Sequence, residues 1–136
     1  MLPRIRLRAM SNSFSLALLT VAVLAVSSCA SSVVQDESRY FGCYALNGHP
    51  ALTIEAHRLS DMSGHKNALR GFTKLRDSDY VQVRNRMHVD EGGRIAFALE
   101  DTGYHYEFKR APEITLIVYD DRGQEFDLVR TGSKCL

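Results

Sequence analysis

The chain of 136 residues contains no tryptophan and few cysteines or prolines, and it also lacks several patterns that define a protein class. Its one long apolar run, residues 14–26, has thirteen residues, whereas a membrane-spanning helix needs roughly 20. No window shows sustained helical periodicity, and no G-x-S-x-G elbow or phosphate-binding loop is present. These absences argue against a spanning helix, a helical bundle and the commonest hydrolase or nucleotide-binding sites.

The start of the chain has the layout of a secretory signal. Three arginines (Arg4, Arg6 and Arg8) precede the apolar run, and small residues follow it. The segment Val26-Ser27-Ser28-Cys29 resembles the lipobox of bacterial lipoproteins. That resemblance implies that Cys29 becomes the new N-terminus and carries a thioether-linked diacylglycerol, together with an acyl chain such as palmitate on its amine. Two such signals are enough for stable membrane anchoring.

Two other interpretations of this segment remain open. The first is an ordinary signal peptidase cut after Ala30, because Ser28-Cys29-Ala30 also has small residues at the required positions. The second is that Cys29 is an uncleaved, structural thiol. If the chain is a lipoprotein, the resemblance implies outer-membrane sorting because Ala30 stands where an aspartate would retain it in the inner membrane. The predicted organisation is a signal peptide at 1–28, a lipidated cysteine and tether at 29–38, and one domain at 39–136.

Charge argues against nucleic acid as a partner. The full chain has 17 Lys and Arg against 16 Asp and Glu, and loss of the three leader arginines leaves 14 against 16, a formal charge of −2. Nucleic-acid binding needs a concentrated basic face, which this balance does not provide.

Two cysteines remain once Cys29 is assigned to lipid. In an oxidising envelope compartment, an even pair such as Cys43 and Cys135 predicts a disulfide. A catalytic thiol is the alternative interpretation.

The remaining sequence predicts strands, because apolar and polar residues alternate with period two between turn residues. The predicted strands are 39–46, 51–58, 68–75, 80–89, 94–100, 104–110, 114–119 and 124–130. Residues 59–67 are predicted to form a polar loop and residues 101–103 a tight turn. The predicted inward faces carry Leu52, Ile54 and Ala56; Val81, Val83, Met87 and Val89; Ile95, Phe97 and Leu99; and Tyr104, Tyr106 and Phe108.

Short connections force neighbouring strands to be antiparallel. The expected fold is therefore all-β, a small antiparallel meander that closes into a barrel of seven or eight strands. A disulfide between Cys43 and Cys135 would join the first strand to the last. An open, strongly curved sheet is the alternative.

The histidines and carboxylates give no catalytic pattern. His49, His57 and His65 recur every eight residues, but their spacing matches no zinc motif, and predicted turns or outward faces hold them. A soft-metal site formed by His57, Met62 and His65 is the alternative. The expectation is a protein that is not an enzyme and has no metal and no cofactor.

Basic residues are unevenly distributed. Residues 58–94 carry a net charge of +3 and residues 100–127 a net charge of −5. Arg84 and Arg86 share one predicted strand face, and Arg94 follows the next turn. This basic patch is a candidate site for an anionic partner or for lipopolysaccharide. A mixed charged surface that prevents edge aggregation is the alternative.

The layout also resembles the membrane-bound inhibitors of c-type lysozyme, which are small barrel lipoproteins with a disulfide between the two ends of the domain. Phe41-Gly42-Cys43 stands where that family has Tyr-x-Cys, and Cys135 is the penultimate residue. Ser63-Gly64-His65-Lys66-Asn67 resembles the family's inhibitory loop, with Asn67 in place of a tyrosine. The resemblance implies that Ser63 and Lys66 engage the catalytic acids of a lysozyme.

The function expected from the sequence is that of a non-catalytic protein-binding or envelope-support module, lipid-anchored in the outer membrane and facing the periplasm. The alternatives are an inhibitor of c-type lysozyme and a lipocalin-like carrier of a small apolar ligand. The expected partners are the membrane, through Cys29, and an envelope protein or a lysozyme.

Overall fold

The computed structural model describes residues 32–136, which form nine β-strands and one short 3-10 helix, Glu37–Tyr40. The strands are β1 (Ser32–Val33), β2 (Gly42–Leu46), β3 (His49–Ile54), β4 (Arg58–Asp61), β5 (Lys66–Leu75), β6 (Ser78–Val89), β7 (Ile95–Lys109), β8 (Thr115–Tyr119) and β9 (Glu125–Gly132). The predicted signal peptide and Cys29 lie outside the described residues. Within residues 32–136, no helix has the length and apolar character needed to cross a membrane.

Strands β2 to β9 close into an eight-stranded antiparallel barrel, which confirms the all-β barrel predicted from the sequence. Each of these strands pairs with the next along the chain, and β2 pairs with β9 to complete the ring. Gly42 is required at this seam because it has a φ of +138° and a Cβ atom there would collide with the carbonyl oxygen of Gly132. The disulfide between Cys43 and Cys135 crosses the same region, with the two Cα atoms 4.9 Å apart.

The first described residues belong to the predicted tether and are attached to the barrel. Ser32 and Val33 form β1, which pairs with Lys74 and Thr73 of β5, and the next residue, Val34, is buried. The chain is therefore in contact with the barrel before residue 39, where the domain was predicted to begin.

Three predicted boundaries are wrong. The strand predicted at 51–58 ends at Ile54, because the chain turns at 55–57 and returns as β4. Residues 59–67 do not form a continuous loop, because β4 occupies the first part and β5 begins at Lys66. Residues 101–103 do not form a turn, because β7 runs through them. From Val83↔Tyr104 to Met87↔Phe97, β6 advances four residues while β7 advances seven. The residue types that suggested a turn therefore occupy bulges in a long strand.

The inward faces were mostly predicted correctly. Leu52, Ile54, the four β6 residues Val81, Val83, Met87 and Val89, and also Ile95, Tyr106 and Phe108 belong to the buried core. Leu99 does not, because its side chain is fully exposed within the bulged part of β7. Ala56 and Tyr104 are exposed as well. At Leu99 and Tyr104 the bulges break the strict alternation from which an inward orientation was predicted.

Aromatic side chains fill the barrel interior. The ring of Tyr40 stacks on Phe108, with centroids 4.1 Å apart, and on Phe72, with centroids 5.7 Å apart. Tyr44 packs beside the same group and donates its hydroxyl hydrogen bond to the carbonyl of Tyr40. Large aromatic side chains of this kind supply most of the buried apolar area in a small core.

The meander places alternate connections at opposite ends of the barrel. The β2–β3, β4–β5, β6–β7 and β8–β9 turns lie at one end, which we call the turn end. The other end, which we call the disulfide end, carries the 3-10 helix, the start of β2 and the end of β9 with Cys135. The chain therefore enters and leaves the barrel at the end opposite to the four turns.

The outer half of the β6–β7 hairpin folds over the turn end. In the sheet order β7 lies between β6 and β8, and it pairs with β8 only near the disulfide end. At the turn end, Val89 of β6 instead bridges directly to Asp120, immediately after β8. Met87, Val89 and Ile95 of this hairpin are all buried in the core cluster. The twisted hairpin thus covers the core at this end of the barrel.

Candidate functional site

Three turns at the turn end share the pattern Asp-x-x-Gly-x, at residues 61–65, 90–94 and 120–124. In each, the aspartate N–H donates to the carbonyl of the fifth residue, and the glycine N–H donates to the aspartate carbonyl. The aspartate carboxylate accepts a further bond from the N–H of the fifth residue, at 2.9 Å from His65, 2.9 Å from Arg94 and 2.8 Å from Gln124. Each glycine has a φ between 72° and 86°, where a side chain is strained.

In the β4–β5 and β6–β7 turns the aspartate side chain is less exposed than the basic side chain of the fifth residue. The side chain of Asp61 is only 9% exposed because it accepts bonds from the N–H groups of Ser63 and His65 and contacts the ring of His65. The side chains of His65 and Arg94 are 74% and 79% exposed. The acids therefore organise the turns, and the bases face the solvent.

A groove of about 560 Å³ lies between the β4–β5 turn and the start of β7. Its walls include Ser63, His65 and Lys66 on one side, and Arg94 with residues 95–99 on the other. Three residues singled out in the sequence, Ser63, Lys66 and Arg94, thus meet in one place. Sequence reasoning had assigned them to two separate sites, because the hairpin fold that joins them is a long-range feature.

Arg84 and Arg86 are not part of this groove lining. The Asp101 carboxylate accepts hydrogen bonds from Arg84 Nε at 3.0 Å and from an Arg70 guanidinium nitrogen at 2.9 Å. The Arg86 guanidinium lies 3.3 Å from Asp121. The structure therefore does not bring the predicted trio of Arg84, Arg86 and Arg94 together, and it pairs each with an acid.

The histidines remain apart from one another. His49 and His57 are exposed, and the ring of His65 contacts Asp61 at 2.9 Å. Within residues 32–136, no group of three or more His, Cys, Asp or Glu side chains has the arrangement of a metal site.

Sequence reasoning missed a buried polar cluster near the disulfide end. Asp79 is 1% exposed, and its Oδ2 accepts hydrogen bonds from the hydroxyl of Tyr40 and, at 2.9 Å, from the guanidinium of Arg110. Burial, followed by the hydrogen bond to Asp79, raises the pKa of Tyr40 to about 12. Asp79 lies between the strands predicted at 68–75 and 80–89, in a connection where acids are common, so nothing in the local sequence indicated its burial.

Asn67 also has a role that the sequence did not indicate. Its side chain is 1% exposed and bonds both backbone groups of Asn85, accepting from the N–H at 3.0 Å and donating to the carbonyl at 2.7 Å. These side-chain bonds replace the backbone pairing between β5 and β6, which ends at Leu69 and Val83. In the motif compared with lysozyme inhibitors, the position of the family's tyrosine therefore holds a residue with a structural role.

Comparison with protein-family models, curated proteins and solved structures finds no match to this chain.

Proposed function

We propose that this protein is a lipid-anchored envelope lipoprotein whose barrel acts as a non-catalytic protein-binding module at the periplasmic face of the outer membrane. The anchor is Cys29 of the Val26-Ser27-Ser28-Cys29 lipobox. The proposal includes no catalytic step, metal or cofactor.

The observation that carries the proposal is the position of the groove relative to the start of the barrel. The described chain enters the barrel at the disulfide end, where β1 pairs with the last residues of β5. The groove that contains Ser63, Lys66 and Arg94 lies at the turn end. A protein anchored through Cys29 would thus present its exposed basic side chains away from the attachment point, where a partner can approach them.

The proposal is tested by crosslinking in intact envelopes with the Cys29-anchored protein. We expect one or more specific partners to be captured by the unmodified chain and lost from the Lys66→Glu/Arg94→Glu variant. Arg76→Glu/Lys134→Glu is the matched control, because it makes the same charge change on two exposed residues at the disulfide end. Capture that is unaffected by the groove substitutions, or no specific capture, would contradict the binding-module proposal.

The anchor has its own test within the same experiment. Cys29→Ala should abolish lipid labelling and leave precursor or soluble protein. Continued fractionation of this variant with the outer membrane would contradict the lipoprotein assignment.

Inhibition of a c-type lysozyme is the second candidate, and one observation favours it. Ser63 and Lys66 are both exposed at the β4–β5 turn, and Asp61 fixes the backbone of that turn through two N–H groups. A preorganised hydroxyl and ammonium group suit a pair of carboxylates. We expect Lys66→Glu to lose any inhibition, whereas a lysozyme that stays fully active at high molar excess of the unmodified protein would remove this candidate.

The carrier alternative receives less support. The interior space that a small apolar ligand would need holds the rings of Tyr40, Tyr44, Phe72 and Phe108. An eight-stranded barrel has little room beyond its own side chains.

A further inference from the structure

The two edges of the β6–β7 hairpin differ in what covers them. On the β6 edge, the Asn67 amide bonds the backbone of Asn85, and the hydroxyl of Tyr106 accepts from the N–H of Met87 at 2.6 Å and donates to its carbonyl at 2.9 Å. Val89 then bridges to Asp120. Side chains and a neighbouring strand thus complete the hydrogen bonding of this edge.

On the other edge, which belongs to β7, the geometry of antiparallel pairing leaves backbone N–H and carbonyl groups without a partner strand. Directly opposite residues either exchange both hydrogen bonds or both face away from each other. Met87 is opposite Phe97. The N–H and carbonyl of Met87 both bond the hydroxyl of Tyr106, so they face away from β7. The N–H and carbonyl of Phe97 therefore face away from β6. Ile95, two residues earlier and opposite Val89, has the same orientation. Within residues 32–136, no strand pairs with this edge between Ile95 and Leu99.

This free edge faces the groove. All five residues from Ile95 to Leu99 line it, although successive side chains of a strand point to opposite faces. Five consecutive lining residues indicate that the strand meets the groove along its edge. The β4–β5 turn, with Ser63 and Lys66, forms the opposite wall.

The charges along the groove favour an acidic occupant. Lys66 is exposed on one wall. Arg94 is 79% exposed on the other wall, and its Nε lies 3.9 Å from Asp90 Oδ2, which is beyond hydrogen-bond distance, so the guanidinium can still bind a further carboxylate. The groove acids Asp61 and Asp90 accept hydrogen bonds from turn N–H groups, so they are already partnered. An extended segment that carries carboxylates would meet basic side chains at the rim and free N–H and carbonyl groups along the edge.

We infer that the β7 edge docks an extended, acidic segment of a partner protein, which adds to the hairpin as an extra strand. The backbone groups of Ile95 and Phe97 bind its main chain, and Lys66 and Arg94 bind its carboxylates. Main-chain pairing of this kind supplies affinity, and the flanking side chains supply specificity. The inference rests on the proposed binding function and specifies the class of segment that the site takes.

The test uses two synthetic peptides, an acetylated heptapeptide of alternating glutamate and valine and its counterpart with lysine for glutamate. Binding is followed by NMR on the soluble barrel domain with its disulfide intact, released by cleavage after Cys29 if it carries lipid. We expect saturable binding of the glutamate peptide, at least about tenfold tighter than that of the lysine peptide. The N–H groups of Ile95 and Phe97 should become protected from exchange with solvent on binding.

Two matched pairs of variants separate the backbone from the charge contribution. Phe97→Pro and Phe97→Ala both remove the aromatic ring, but only Phe97→Pro also removes the edge N–H. We therefore expect the proline variant to bind the glutamate peptide about tenfold more weakly than the alanine variant does. Lys66→Glu should weaken binding of the glutamate peptide, whereas Lys134→Glu should not. If Phe97→Pro does not fold, the exchange protection of the two amides in the unmodified protein decides the question.

Four results would overturn the inference. The first three are no binding of the glutamate peptide, equal binding of both peptides, and binding that leaves the Ile95 and Phe97 amides unprotected. Protection of these amides by self-association without peptide would assign the edge to a second copy of the chain and also overturn it. Envelope capture that depends on Lys66 while the peptide fails to bind would leave the binding-module proposal standing and reject only the strand-addition mode.

Discussion

Asp79 shows how one buried carboxylate ties the barrel to the segment that precedes it. Its Oδ2 accepts bonds from Tyr40 of the 3-10 helix and from Arg110, which follows β7. Within the described residues, Oδ1 has no hydrogen-bond partner. A buried charge is tolerated only while its partners remain, so the loss of one donor leaves a desolvated group uncompensated.

Tyr40→Phe isolates this effect because it keeps the stacked ring and removes only the hydroxyl. We expect the free energy of unfolding at pH 7 to fall by about 1–3 kcal/mol, the usual cost of leaving a buried group unsatisfied. Tyr119→Phe is the matched control, because Tyr119 is 47% exposed, and its effect should stay within about 0.5 kcal/mol. Urea unfolding measures both, and equal effects of the two variants would contradict the role of the Asp79 bond.

The same substitution has a signature at high pH. Tyr40 has a pKa of about 12 in the fold against an ordinary value of 10.0, so the fold favours its neutral form. Its contribution is complete below pH 10 and is lost as the pH rises toward 12. Burial also raises the pKa of Tyr106 to about 12, so Tyr40→Phe should reduce, not abolish, the alkaline loss of stability.

At the scale of elements, the turns were easier to predict than the strands between them. The connections left at 90–93 and 120–123 between predicted strands are turns in the structure. In both, the aspartate carboxylate accepts the N–H of the fifth residue and the glycine N–H donates to the aspartate carbonyl. β4 was missed because it is four residues long and only Leu59 is buried. β7 was divided because Asp101, Thr102 and Gly103 suit a turn as well as a bulge. The local sequence does not distinguish a turn from a bulge here, because the pairing of β7 with β6 determines which one forms.

The β4–β5 turn gives the prediction at this scale. Asp61→Ala removes the acceptor for the N–H groups of Ser63 and His65, whereas Asp61→Asn keeps an oxygen at the same place. By analogy with capping residues, we expect alanine to cost about 1 kcal/mol and asparagine much less. Amide exchange at Ser63 and His65 should accelerate only in the alanine variant. Similar exchange in both variants would show that the carboxylate does not organise the turn.

At the scale of the whole molecule, the candidate site was predicted as separate pieces. Local sequence indicated Ser63 and Lys66 on one loop and Arg94 after a turn, and the fold brings these three into one groove. Arg84 and Arg86 share a predicted strand face, but their partners Asp101 and Asp121 come from other parts of the chain. The sequence therefore identified several of the groove residues, whereas long-range pairing decided which of them act together.

The disulfide gives the last prediction, and it concerns the barrel as a unit. Cys43 and Cys135 are 92 residues apart, and their bond joins the start of β2 to the segment after β9, beside the β2–β9 seam. Closing a loop of this length should stabilise the fold by about 4–5 kcal/mol through the entropy of the unfolded chain. The Cys43→Ser/Cys135→Ser variant should lose that amount in urea unfolding, and reduction of the unmodified protein should give the same loss. The slope of the free energy against urea should rise as well, because an uncrosslinked unfolded chain exposes more surface.

The turn end lies at the opposite end of the barrel, so below its unfolding transition the variant should bind the glutamate peptide as the unmodified protein does. A loss of affinity in the folded variant would contradict the independence of the two ends.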